Sequence, residues 1–132
     1  MSSDTRVDLE RAVQLLGPLE GRIMRVVWTD IASKPFVVRD VQAHMPELAY
    51  TTVMTTLNRL VNKGLLDVKA VRGRRAHEYS CALTARAFLA RASKDQVAQI
   101  VEQFGDAAIA AFSEHLQTLS PEQRQRLEDL AR

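Results

Sequence analysis

The sequence predicts a mainly helical α+β protein with one small β-hairpin, and three observations carry that expectation. Apolar residues recur at helical spacing through most of the chain. Leu66–Val71 and Ala76–Ser80 instead read as paired strands around the glycine-containing turn Arg72-Gly73-Arg74-Arg75. The composition, 46% apolar but 5% aromatic, suits a core packed from Ala, Leu and Val.

The elements follow in order. Met1 to Arg6 is polar and is expected to fray. Val7 to Leu16 forms a short helix through Leu9, Val13 and Leu16, stopped by Gly17-Pro18. Leu19 to Thr29 is a firmer helix with Ile23, Val26 and Val27 inward, and Trp28 reads as core beside them. After a loop over 30–35, Phe36-Val37 can add a short strand beside the hairpin. Val38 to Met45 is helical and ends at Pro46. The brief Pro46-Glu47-Leu48 turn then gives helix-turn-helix spacing to the next helix, over 50–63. Beyond Cys81 the texture changes to three helices: Thr84 to Phe104, Ala107 to Leu119, and a last one opened by Ser120-Pro121-Glu122-Gln123, a capping pattern with proline at the first helical position.

The helix over 50–63 is the most informative. Val53, Leu57, Leu60 and Val61 make its buried stripe, while Thr51, Thr52, Thr55, Arg59, Asn62 and Lys63 fall on the other face. Four threonines in so short a helix oppose its local propensity, because β-branched side chains lose rotamer freedom there. Threonine offers a hydroxyl to base edges or phosphates and a methyl to thymine, and arginine can grip guanine with two bonds. With a hairpin behind it whose tip carries three guanidinium groups, the layout is that of a winged helix-turn-helix. The candidate DNA-binding residues are Arg39, Tyr50, Thr51, Thr52, Thr55, Arg59, Lys63 and the wing arginines Arg72, Arg74 and Arg75.

Charge distribution agrees. The formal net charge is +2, yet Arg59 to Tyr79 carries +4 and the chain from Thr84 onward carries −1. A positive field is thus concentrated where phosphate would lie. The C-terminal helices instead show an apolar stripe, Val97, Ile100, Val101 and Phe104, continued by Ile109, Phe112 and Leu116. Such a stripe has to be covered, and a second copy of the chain is the expected cover. The expected organisation is a DNA-binding domain over 1–82 and a helical dimerisation domain over 83–132.

Other classes find little support. The single cysteine, Cys81, excludes an internal disulfide framework and reads as a partly buried structural thiol. His44, His77 and His115 lack metal-ligand spacing. No nucleophile–base grouping or phosphate-cradling glycine loop stands out, so neither enzyme activity nor a cofactor is expected. No apolar run is long enough to span a bilayer and no signal-peptide pattern is present, which points to a cytoplasmic protein.

The chain resembles the penicillinase-repressor (BlaI/MecI) family, to which CopY-type repressors also belong. The resemblance is carried by Leu16-Gly17-Pro18-Leu19-Glu20 with Ile23-Met24 and Val27-Trp28, by Ala49-Tyr50-Thr51-Thr52-Val53, by Leu57-Asn58-Arg59-Leu60 with Lys63-Gly64-Leu65-Leu66, and by the wing from Arg74 to Tyr79. It implies a homodimeric repressor on an inverted-repeat operator of double-stranded DNA, controlling antibiotic-resistance or cell-envelope stress genes. It also implies inactivation by proteolysis under a membrane sensor, at an Asn-Phe bond whose counterpart here is Gln103-Phe104. Phe104 matches that pattern and Gln103 departs from it. The copper branch carries C-terminal cysteines, and none follows Cys81. The alternative reading is a ligand- or redox-responsive winged-helix regulator without proteolytic control.

Overall fold

The computed structural model describes residues 3–71, 73 and 77–131. The chain divides into two compact units, Met1–Arg91 and Ala92–Arg132. The composition change after Cys81 suggested a boundary at 82/83. Packing places it later, because Phe88 joins the core of the first unit.

The first unit opens with α1 (Ser3–Gln14) and α2 (Pro18–Val26). Helix α1 starts earlier than the polar N-terminus suggested, and it buries Leu9 and Ala12. Gly21 of α2 lets the two helices approach. A Cβ there would sit 3.0 Å from the carbonyl oxygen and a methyl carbon of Val13. Pro18 stands in the first turn of α2, and the Gly17 N–H donates to Glu20 Oε1 at 3.2 Å.

Regular α geometry was expected to continue to Thr29, but it gives way to a π-turn over Val27–Ile31. At its start the Thr29 hydroxyl donates to the Arg25 carbonyl at 2.6 Å. The turn closes with the Ala32 N–H donating to the Val27 carbonyl at 2.7 Å. Ala32 then takes φ 58° and ψ −125°, a conformation that an L side chain rarely adopts.

Helix α3 (Val38–Gln42) is shorter than the sequence suggested. The chain leaves α geometry through turns before Pro46. Helix α4 (Tyr50–Asn62) follows, burying Val53, Thr56, Leu57 and Leu60. Gly64 (φ +82°) ends it and turns the chain into the hairpin. Strands β1 (Leu66–Ala70) and β2 (His77–Cys81) pair antiparallel with Val68 opposite Tyr79. Phe36 forms a single bridge to Tyr79, with reciprocal backbone bonds of 2.8 and 2.7 Å and rings stacked at 5.9 Å. The predicted third strand is therefore one residue pair long.

The core gathers Ile23, Met24 and Val27 with Val38 and Val41, Val53, Leu57 and Leu60, and Leu65, Leu66, Tyr79 and Phe88. Truncating one of these leucines to alanine costs about 2–5 kcal/mol in such a setting.

The second unit takes the rest of α5 (Ala85–Phe104), α6 (Asp106–Gln117) and α7 (Pro121–Leu130). Gly105, at φ +63°, breaks α5 from α6. The cap expected of α7 is formed in full, with Ser120 Oγ accepting from the Gln123 N–H at 3.2 Å and Gln123 Oε1 accepting from the Ser120 N–H at 2.9 Å. Among the described residues no helix is long and apolar enough to cross a membrane.

Candidate nucleic-acid interface

Helix α4 supplies the surface on which the sequence-predicted residues meet. Thr51, Thr52, Thr55 and Arg59 are exposed, and together with Leu19 and Thr56 they line a shallow hollow of about 250 Å³. The spacing 51, 55, 59 keeps those three on one stripe of the helix, with Thr52 beside them. Thr56 behaves differently. It is buried, and its hydroxyl donates to the Thr52 carbonyl at 2.9 Å. Three hydroxyls and one guanidinium therefore remain outward. Arg59 has no ion-pair partner among the described residues. Tyr50, at the start of α4, and Arg39, on α3, are also exposed.

Lys63 has another role within the chain. Its ammonium lies 2.9 Å from both carboxylate oxygens of Glu20, a residue 9% exposed. Glu20 thereby bridges the start of α2 and the end of α4. Arg91 holds the same end, donating through Nη2 to the Lys63 carbonyl at 2.7 Å while its guanidinium lies over Phe88. Lys63 nonetheless stays solvent-facing, with its side chain 52% exposed. Lys69 likewise faces Glu78 across the hairpin at 3.8 Å. Of the described lysines and arginines between Arg59 and Tyr79, Arg59 alone has no ion-pair partner. Arg72, Arg74 and Arg75 lie outside the described residues.

Sequence reasoning assigned no role to the link between this helix and the hairpin. The hydroxyl of Tyr79, a residue 1% exposed, donates to Asn58 Oδ1 at 2.8 Å. That bond ties β2 to the middle of α4. Strand alternation places Tyr79 inward, and a buried phenol needs a partner. The signal was therefore present, although the partner was not. Burial raises the Tyr79 phenol above the usual tyrosine range, so it stays a donor at neutral pH.

The second unit holds the other predicted surface. Val97, Phe104, Ile109, Phe112 and Leu116 are exposed, Ile100 and Val101 half-buried, and Leu130 is 70% exposed. Among its described residues Ala108 is the one buried hydrophobic. Phe104 stands 58% exposed at the break before Gly105, next to exposed Gln103. Among the described residues no group of His, Cys, Asp and Glu is arranged to hold a metal ion.

A helix pair leading into an exposed hydroxyl-rich helix, with a bonded hairpin behind it, defines a winged-helix protein. The penicillinase repressor family model matches residues 16–132, and the chain belongs to that family. Transcriptional regulator BlaI of Mycobacterium tuberculosis, in two strains, is 43% identical over 68 residues. That alignment covers 49% of this chain and 46% of the relative, so it spans about half the length of those proteins. Among solved structures, a MarR family regulator from Neisseria meningitidis aligns over 88% of this chain and 82% of its own, at 17% identity and a TM-score of 0.46. Rv0081 of M. tuberculosis aligns over 74% and 90%, at 17% identity and a TM-score of 0.43.

Proposed function

We propose that the protein is a homodimeric DNA-binding transcriptional repressor, with α4 entering the major groove and the wing arginines on flanking phosphate. The observation that carries this reading is the outward stripe of Thr51, Thr52, Thr55 and Arg59 on a helix whose C-terminal end is fixed from within. Family membership supports it. Such a stripe can read base edges through hydroxyl, methyl and guanidinium groups, while exposed cations set affinity through the backbone.

The apolar surface of the second unit supports pairing with another copy. A unit in which Ala108 is the one buried hydrophobic among the described residues has little core of its own to offset chain entropy. Two-fold pairing presents two α4 helices to one face of the duplex and calls for an inverted repeat. Selection from a pool of random duplexes tests this directly. The expected product is an inverted repeat with half-sites about one helical turn apart. Recovery of a single unrepeated motif contradicts the dimer, and no enrichment contradicts the DNA reading.

Control by cleavage at Gln103-Phe104 is the finer part of the proposal, supported by the exposed bond at the α5–α6 break. Cutting there severs α6 and α7 from α5 and removes much of the apolar surface. The target genes would be those of antibiotic resistance, as the family name suggests, or of envelope stress. A Phe104→Ala protein that responds to inducer as the unaltered one does counts against cleavage control.

A further inference from the structure

A cavity of about 580 Å³ opens in the first unit between α1, the end of the π-turn and the junction of β2 with α5. It shares no lining residue with the hollow on α4. Its volume falls within the range that holds small organic molecules. Asp8 and Leu9 of its lining lie on α1, ahead of residue 16 where the family match begins. The cavity is therefore completed by a part of this chain that the family model does not reach.

The lining is mostly apolar, with Leu9, Trp28 and Leu83 as its large members. Trp28 Nε1 and Cys81 Sγ both donate to the Leu83 carbonyl at 2.9 Å. Their polar atoms are thus satisfied within the protein, and what Trp28 adds to the lining is aromatic carbon. The backbone here is unusual twice over. The π-turn places Trp28, and Ala32, also in the lining, holds the left-handed φ that favours glycine. Strain of this kind persists where surrounding structure enforces it, and it concentrates at ligand sites.

Two charged residues line the cavity, and neither has a hydrogen-bond or ion-pair partner among the described residues. Asp8 is half-buried and Arg86 is exposed. Asp8, the less exposed of the two, is the charge that solvent screens less, and it can pair with a cationic group on a ligand. An aromatic wall also favours a cation. We propose that this cavity binds a small aromatic cation, its rings against Trp28 and Leu83 and its ammonium on Asp8.

The test is calorimetric titration of the full chain, without DNA, using 1-naphthylmethylammonium and the size-matched anion 1-naphthylacetate. Because no nucleic acid is present, its outcome is separate from that of the repressor reading. The expected result is one cation bound per chain with a Kd on the order of 10⁻⁴ M, and anion binding at least about tenfold weaker. Asp8→Asn should weaken the cation by about tenfold and level the preference. Arg86→Ala should strengthen the cation by roughly two- to threefold, since it removes a screened like charge. The bound cation should also slow alkylation by N-ethylmaleimide of Cys81, the chain's one cysteine, which places the ligand in this cavity. Absence of saturable binding overturns the proposal. So does an anion that binds as well as the cation, an Asp8→Asn protein with unchanged affinity, or a Cys81 that the cation leaves unprotected.

Discussion

Thr56 and Thr52 share one helix and have opposite fates. The Thr56 hydroxyl turns back to the Thr52 carbonyl, while Thr52 itself faces out. Helical spacing was enough to separate them, because it puts 56 on the stripe of Val53, Leu57 and Leu60. It could not show that Lys63 pairs with Glu20, which lies 43 residues away in sequence. That pairing gives a prediction. Glu20→Ala removes the acceptor of the Gly17 N–H and orphans Lys63, and it should cost about 1–3 kcal/mol in urea unfolding. A loss below about 0.5 kcal/mol would mean that the bridge is incidental. Cys81 gives a second prediction. Burial, with Asp67 acting in the same sense, pushes its thiol pKa above the usual range. Less thiolate is then present at a given pH. Iodoacetamide should modify native Cys81 more slowly than the unfolded chain at pH 8, and the native rate should keep rising where that of the unfolded thiol levels off. Equal rates in both states would contradict a buried thiol.

At the scale of elements, the helices and the hairpin were readable because each carries a strong period and a stop signal. Gly64 after α4 and the Ser120–Gln123 cap of α7 are the clearest cases. The π-turn was not readable. It spans five residues, too few for its wider period to emerge from an apolar run, and the bond of the Thr29 hydroxyl to the Arg25 carbonyl at its start is of a kind that regular α4 also holds at Thr56. The length of α1 was also missed, since polar residues at a helix start carry little periodic signal. The Tyr79–Asn58 bond is the side-chain tie between α4 and the hairpin, beside the packing of Leu57 and Leu60 on Leu66 and Tyr79. Tyr79→Phe should cost about 0.5–1.5 kcal/mol in stability. It should also lower affinity for DNA of any sequence, because the wing loses its anchor and not its reading groups. A changed base preference in that variant would place Tyr79 or Asn58 among the reading groups instead.

For the whole molecule, the proposal joins a reading surface in the first unit to a pairing surface in the second. Placing Asp at both Phe112 and Leu116 sets like charges in the exposed apolar face, and sedimentation should then report monomers at micromolar concentration. A dimer that survives both changes would locate the interface elsewhere. The reading surface is separable from it. Arg59→Ala should flatten sequence preference by about 1–3 kcal/mol and leave the oligomeric state unchanged. The most direct test of the account is a fluorescence titration of the full chain against the selected inverted repeat and a scrambled duplex, at roughly 50 and 200 mM salt. The account predicts tight binding to the repeat, weak binding to the scrambled duplex, and a fall of about 10³-fold or more with salt. Equal affinity for both duplexes, or affinity that salt leaves unchanged, would contradict it.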